Sequence, residues 1–148
     1  MQIEVTQHAF SPWRRLSEYE QAQAKLKGQF GATAVFIGSM RDFNEDVSVN
    51  KMCLEHYPGM TEKFLTELAQ QAQQQWQLLD VLIVHRVGEV TPGDTIVLVA
   101  TWSAHRAHAY EANRHLMEAL KSKAPFWKKE TLEDGATRWV EKNTPGSL

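Results

Sequence analysis

Two stretches of this chain repeat apolar residues at helical spacing, and the stretches around them do not. Over 58–76, Met60, Phe64, Leu68, Ala72 and Trp76 recur every four residues, which predicts an amphipathic helix begun at Pro58. Over 103–122, Ala109, Leu116 and Leu120 form one stripe, with Tyr110, Met117 and Lys121 alongside, and Pro125 ends helical continuation. The flanking runs have another period. Residues 32–37 are nearly all apolar or β-branched, as in a buried strand, and lead into Gly38-Ser39-Met40-Arg41 and a polar loop. Residues 49–57 alternate, with Lys51, Cys53 and Glu55 on one side and Asn50, Met52, Leu54 and His56 on the other. Strands at 81–86 and 95–102 read as a hairpin about the turn Thr91-Pro92-Gly93-Asp94. Strands at 126–132 and 137–142 flank a second turn, Glu133-Asp134-Gly135-Ala136.

Near the start, residues 2–6 read as a short strand. A weak helix follows, opened by Ser17-Glu18-Tyr19-Glu20 and closed by Gly28. The resulting order, βαββαββαββ with short connections, predicts an α+β fold: a mostly antiparallel sheet carrying about three helices. One domain over 1–148 is expected, with 143–148 as a frayed tail.

Composition narrows the function. A formal net charge of −2 provides no broad cationic field for nucleic acid or anionic lipid, so any anion site is local. The longest apolar run is far short of the ~20 residues that span a bilayer, and the first residues lack a secretory pattern, so a cytoplasmic location is expected. The single cysteine, Cys53, has no intrachain disulfide partner. There is no G-x-S-x-G, G-x-x-x-x-G-K-[ST] or G-x-G-x-x-G element.

The candidate chemistry concentrates in LKSKAPFWKKE, residues 120–130, where four lysines surround Pro125-Phe126-Trp127. A solvated charge run needs no aromatics, and a core segment does not tolerate unpaired ammonium groups. In an extended strand, Phe126, Lys128 and Glu130 share one side, and Trp127, Lys129 and Thr131 the other. Aromatic neighbours and other cations lower a lysine from about 10.4 and free part of it as amine for attack on a carbonyl or for proton transfer. The plain alternative for Lys121 is a cation complementing a helix C-terminus.

His105 and Arg106 open the third helix, where free N–H groups favour an anion; pairing of Arg106 with a surface acid is the bland reading. Arg41 is a loop residue aimed by the strand before it. His105 and His108 have a spacing that can hold a metal, but no acid or thiol near them completes a ligand set, so surface histidines are the preferred reading. His85-Arg86, at a strand end, reads as structural. Cys53 reads as a packed residue rather than a nucleophile.

Together the segments GATAVFIGSMRD, LEHYPGMTEK, VLIVHRVGEVTPGD, SAHRAHAYEA and LKSKAPFWKKE, followed by RWVE, resemble the family of large, catalytic molybdopterin synthase subunits (MoaE). The resemblance runs from Gly31 to Glu141. It implies an α/β hammerhead-like fold and a homodimer in which each large subunit carries one small ubiquitin-like partner. That partner's C-terminal glycine thiocarboxylate would donate sulfur to cyclic pyranopterin monophosphate, and two transfers would complete a dithiolene. The pterin would be substrate and product, with no resident cofactor or metal.

Carried over by position, the resemblance implies catalytic roles for Lys121 and Lys128 and substrate contacts from Ser39, Met40, Arg41, His105, Arg106, Lys128, Lys129 and Glu130. Phe36 and Met117 would line the pocket. A further basic residue is implied past Trp139-Val140-Glu141, where this chain has Lys142 and then Asn143. The alternatives are a lysine-dependent acyl- or phosphoryl-transfer enzyme without a protein donor, and a noncatalytic module that grips a peptide tail. Arg106 and Lys121 are fifteen residues apart on one helix, about 22 Å at 1.5 Å per residue. They can share a pocket only if one comes from a second subunit.

Overall fold

The computed structural model describes residues 1–44 and 47–140. In chain order the elements are β1 (Gln2–Thr6), α1 (Pro12–Ala22), a single 3-10 turn (Ala24–Leu26), β2 (Ala32–Ser39), β3 (Phe43–Asn44), β4 (Val47–His56) and α2 (Met60–Gln75). They continue with β5 (Asp80–Arg86), β6 (Gly88–Val90), β7 (Thr95–Ser103), α3 (Arg106–Ser122), β8 (Phe126–Leu132) and β9 (Thr137–Val140).

The expected α+β class holds, but the strands form two sheets instead of one. The first has the order β1-β5-β7-β2, with β1 parallel to β5 and the other pairs antiparallel. The second runs β3-β4-β8-β9, with β6 also pairing to β4. The strands at 81–86 and 95–102 do pair antiparallel, yet not as a simple hairpin. Between them β6 leaves the first sheet and pairs with Met52–Leu54 of β4, which stitches the two sheets together.

Strands β5 and β7 are buried on both faces, which explains their unbroken apolar runs. On one face Val81, Ile83, Val97 and Val99 pack with Leu65, Ala69 and Ala72 of α2 and with Ala112, Leu116 and Leu120 of α3. On the other, Leu82, Val84, Leu98, Ala100 and Trp102 pack with Leu16 of α1.

Further expectations need correction, among them the end of α1, which lies at Ala22 and not at Gly28. Helix α1 begins before Ser17: the Ser11 hydroxyl accepts from the Arg14 N–H and Pro12 occupies the first turn, so Ser17-Glu18-Tyr19-Glu20 lies inside the helix. Helix α2 buries Thr61, Leu65, Leu68, Ala69 and Ala72, while Met60 is exposed. A strict four-residue step advances 400° and drifts 40° around the helix each time, whereas alternating steps of three and four stay on one face. Its start is set by Gly59 at φ 84° and by the Glu62 carboxylate, which accepts from the Gly59 N–H at 3.0 Å. Finally, β2 is an edge strand, so its apolar residues are not all buried: Ala34 is covered, but Phe36 remains 40% exposed.

Strand β9 is described to Val140. Its expected extension to 142, the basic position at Lys142 and the tail 143–148 lie outside the described residues.

Candidate active site

Helix α3 is fixed to the first sheet by buried polar bonds. The Asn113 amide donates to the carbonyls of Ala34 and Val99 at 3.1 and 3.0 Å, and the Thr101 hydroxyl donates to Ala109 O at 2.8 Å. These bonds set the direction of the helix, and its last turn therefore delivers Met117 and Leu120 into the cluster that holds Met40, Met52 and Leu54. Lys121 follows at the rim of that cluster, half-buried.

The chain then turns sharply. Lys123 and Ala124 both donate to Ala119 O, Pro125 O accepts from the Thr61 hydroxyl at 3.4 Å, and β8 begins at Phe126. Because Phe126, Lys128 and Glu130 pair with His56, Leu54 and Met52, they lie on the inner side of the second sheet. The Phe126 ring stacks on His85 of β5, with centroids 3.9 Å apart and planes 14° from parallel, and His56 lies 6.4 Å from the same ring.

His85 is only 2% exposed, and its Nδ1–H donates to Arg86 O at 2.8 Å, because a carbonyl can only accept. The imidazole is thereby held with its lone pair on Nε2.

Burial dominates the electrostatics here. It lowers Lys121 to about 8, with the neighbouring Lys128 charge adding to the shift. Burial also lowers Lys128, opposed in part by Glu130. Burial brings His85 down to about 3, and the charges of Lys121, Lys128 and His56 push the same way, while its bond to Arg86 O opposes them. The imidazole is therefore neutral at pH 7. At pH 7, a lysine titrating near 8 is about one-tenth free amine.

Glu130 is 4% exposed, and one of its oxygens accepts from Arg138 Nε at 2.8 Å. Its carboxylate therefore supports the charge balance beneath Lys128.

Ser39, Met40 and Arg41 leave β2 at a register shift between Gly38 and Ser39. Met40 is buried, and its backbone is clasped by the turn before β7: Met40 N–H donates to Asp94 O and Gly93 N–H donates to Met40 O, both at 2.9 Å. Ser39 and Arg41 are exposed beside it. Phe36 shares the α3 side of β2, and its ring packs over Gly38, where a β-carbon would come within 3.1 Å of Phe36 Cε1 and 2.8 Å of Val97 Cγ1.

Not every expected residue converges. His105 caps α3 and Arg106 begins it, both exposed and about 22 Å along the helix from Lys121. Lys129 projects from the opposite side of β8 to Lys128, and its Nζ stands 5.6 Å from the centre of the Trp139 ring. Cys53 also points to that outer side. Within one chain the structure brings together Lys121, Lys128, Glu130, Met40 and Met117, with His85 and Phe126 beside them. In the sequence alone, His85 reads as structural. The signal available was its parity with Val81 and Ile83, which puts it on the inner face of β5 at the strand's end.

A separate groove of about 710 Å³ runs along α1, lined by Trp13, Leu16, Gln23 and Phe30 among others. None of the expected site residues lines it.

Comparison with known sequences agrees with this architecture. The family described as MoaE protein has a model that matches residues 10–123. The chain belongs to the MoaE family. Among MoaE relatives, the molybdopterin synthase catalytic subunit of Pseudomonas aeruginosa is 46% identical over 141 residues, covering 95% of this chain and 91% of that protein. The subunit of the same name from Ralstonia nicotianae is 54% identical over 113 residues, which is 76% of this chain and 64% of that protein. A solved MoaE structure from Burkholderia ambifaria superposes with a TM-score of 0.77 at 43% identity, covering 97% of this chain and 92% of that one.

Proposed function

We propose that this MoaE-family chain is the catalytic subunit of a molybdopterin synthase. It would receive the thiocarboxylated C-terminus of a small ubiquitin-like partner and pass the sulfur to cyclic pyranopterin monophosphate, once for each sulfur of the dithiolene. The observation that carries this reading is the half-buried pair Lys121 and Lys128, with Lys121 lowered to about 8 beside a second cation.

Such a pair suits both charges in the reaction. A thiocarboxylate is anionic and the pterin carries a phosphate, so protonated lysines attract both reactants and stabilise charge that develops in transfer. The thiocarboxylate sulfur forms a bond to a pterin side-chain carbon while a C–O bond at that carbon breaks, its oxygen leaving with a proton from a protonated lysine, and the acyl–sulfur bond must then break. Water can take the acyl group, so that the partner leaves as a carboxylate; alternatively the free amine fraction of Lys121 takes it first. The sulfur arrives with the partner, so the reaction asks no thiol of Cys53.

The remaining expected contacts fit a two-fold assembly. His105 and Arg106 stand too far along α3 to reach the same small substrate as Lys121, so in a homodimer they would serve the partner subunit's site. The exposed Phe36 and Val35 on the free edge strand β2 would be covered by such an assembly. A cytoplasmic location accords with this chemistry, and no helix among the described residues is long and apolar enough to cross a membrane.

The test supplies cyclic pyranopterin monophosphate with thiocarboxylated small partner and measures the dithiolene product. Lys121→Ala is expected to cut product formation at least about 100-fold, within the range removed with a general acid–base group, while still binding the partner. Full turnover by that variant would sink the assignment.

A further inference from the structure

We propose that His85 is a positioning residue for the lysine pair, its imidazole serving as the flat seat that fixes Phe126 and through it the short connection on which Lys121 and Lys128 both depend. This rests on the proposed lysine chemistry but is argued from different contacts.

Lys121 and Lys128 lie seven positions apart, on either side of the passage from α3 to β8. The helical end of that passage is fixed by Lys123 and Ala124 donating to Ala119 O, and its middle by the Thr61 bond to Pro125 O. Its strand end begins at Phe126, whose ring lies face to face with His85 at 3.9 Å. Phe126 and Lys128 share one side of β8, so the height at which the ring sits sets the height of the next inward residue, Lys128.

The seat itself is rigid. His85 is 2% exposed, lies in a strand paired on both sides, and is tied through Nδ1–H to Arg86 O at 2.8 Å. Charged and titratable groups approach it from three elements: Lys121 from α3, Lys128 from β8 and His56 from β4. A benzene ring would supply the same flat face, whereas an aliphatic side chain would fill the space without it and leave the lysine pair more open to water.

The experiment compares His85→Leu and His85→Phe with the parent protein. The pH at which each lysine becomes reactive is read by mass spectrometry after brief reductive methylation, without partner or pterin. Steady-state product formation is measured separately. His85→Leu is expected to move the Lys121 midpoint upward from about 8 by at least half a unit and to lower kcat at least tenfold with KM within twofold. His85→Phe, which keeps the face, is expected to retain kcat within about threefold.

Unchanged lysine midpoints and kcat in His85→Leu would overturn the proposal. So would equal losses in both variants that track their melting temperatures, since that would mark His85 as ordinary core. If the parent made no dithiolene product, the functional reading would fail, yet the lysine midpoints would still decide the role of His85.

Discussion

At the scale of single residues, the chemistry follows from how little water reaches a few groups. Lys121 is lowered to about 8, so the product-formation rate, where it depends on the free amine, should rise with pH through a limb near 8 and level off above it. A pH–rate profile in which Lys128→Met moves that limb upward would confirm that the neighbouring cation contributes to the shift; an unmoved limb would contradict it. Cys53→Ala is expected to keep near-normal turnover, because the thiol lies on the outer side of β4, opposite to Lys121 and Lys128. Gly31 has a different constraint. A β-carbon there would stand 2.4 Å from Ala104 O, a backbone atom that cannot swing aside, and Gly31 N–H already donates to Ser103 O at 2.9 Å. Gly31→Ala should therefore cost about 1–3 kcal/mol, seen as a fall of several degrees in Tm by circular dichroism. The lysines were legible in the sequence because cations interleaved with aromatics are uncommon in a solvated run. His85 was not legible as part of the site, since a histidine before an arginine at a strand end gives no hint that a ring forty-one positions later will stack on it.

At the scale of elements, one buried amide ties a helix to two strands. Asn113 bonds Ala34 O and Val99 O from a position that is itself covered, so Asn113→Ala removes two hydrogen bonds and leaves a void under α3. A loss of about 2 kcal/mol is expected in urea denaturation, accompanied by weaker activity because Lys121 rides on the same helix. Both long helices and most strands could be read from periodicity alone. What periodicity could not give was partnership. The runs 81–86 and 95–102 flank a turn signal and do pair, but β6 is three residues long, too short to register as a strand, and it carries the chain across to the second sheet. The start of α1 is decided locally: two serines each precede acceptable helix, and Pro12 after Ser11 selects the first.

At the scale of the whole molecule, buried titratable groups give stability a pH dependence whose sign can be worked out. His85 titrates near 3 folded and near 6.5 unfolded, so between those values the unfolded chain binds the extra proton and stability falls as pH drops from about 6.5 toward 3. Lys121 acts in the same sense at high pH: between about 8 and 10.5 the unfolded chain holds more protons, so its contribution improves as pH rises. The Tm of the parent minus that of His85→Phe should fall as pH drops from about 6.5 toward 3; a constant difference would show that His85 does not titrate as described. Mixing Arg106→Ala with Lys121→Ala subunits should restore part of the activity if each site draws on two chains, and proven subunit exchange without recovery would exclude that arrangement. The clasp on Met40 bears on which members of such a lineage can vary in length. Since both backbone polar groups of Met40 are met by Gly93 and Asp94, deleting one residue from the 91–94 bend would drag Ser39 and Arg41 out of register, whereas the bend at 133–136 touches no proposed site residue. Insertions and deletions should accordingly accumulate at the second bend and be purged at the first.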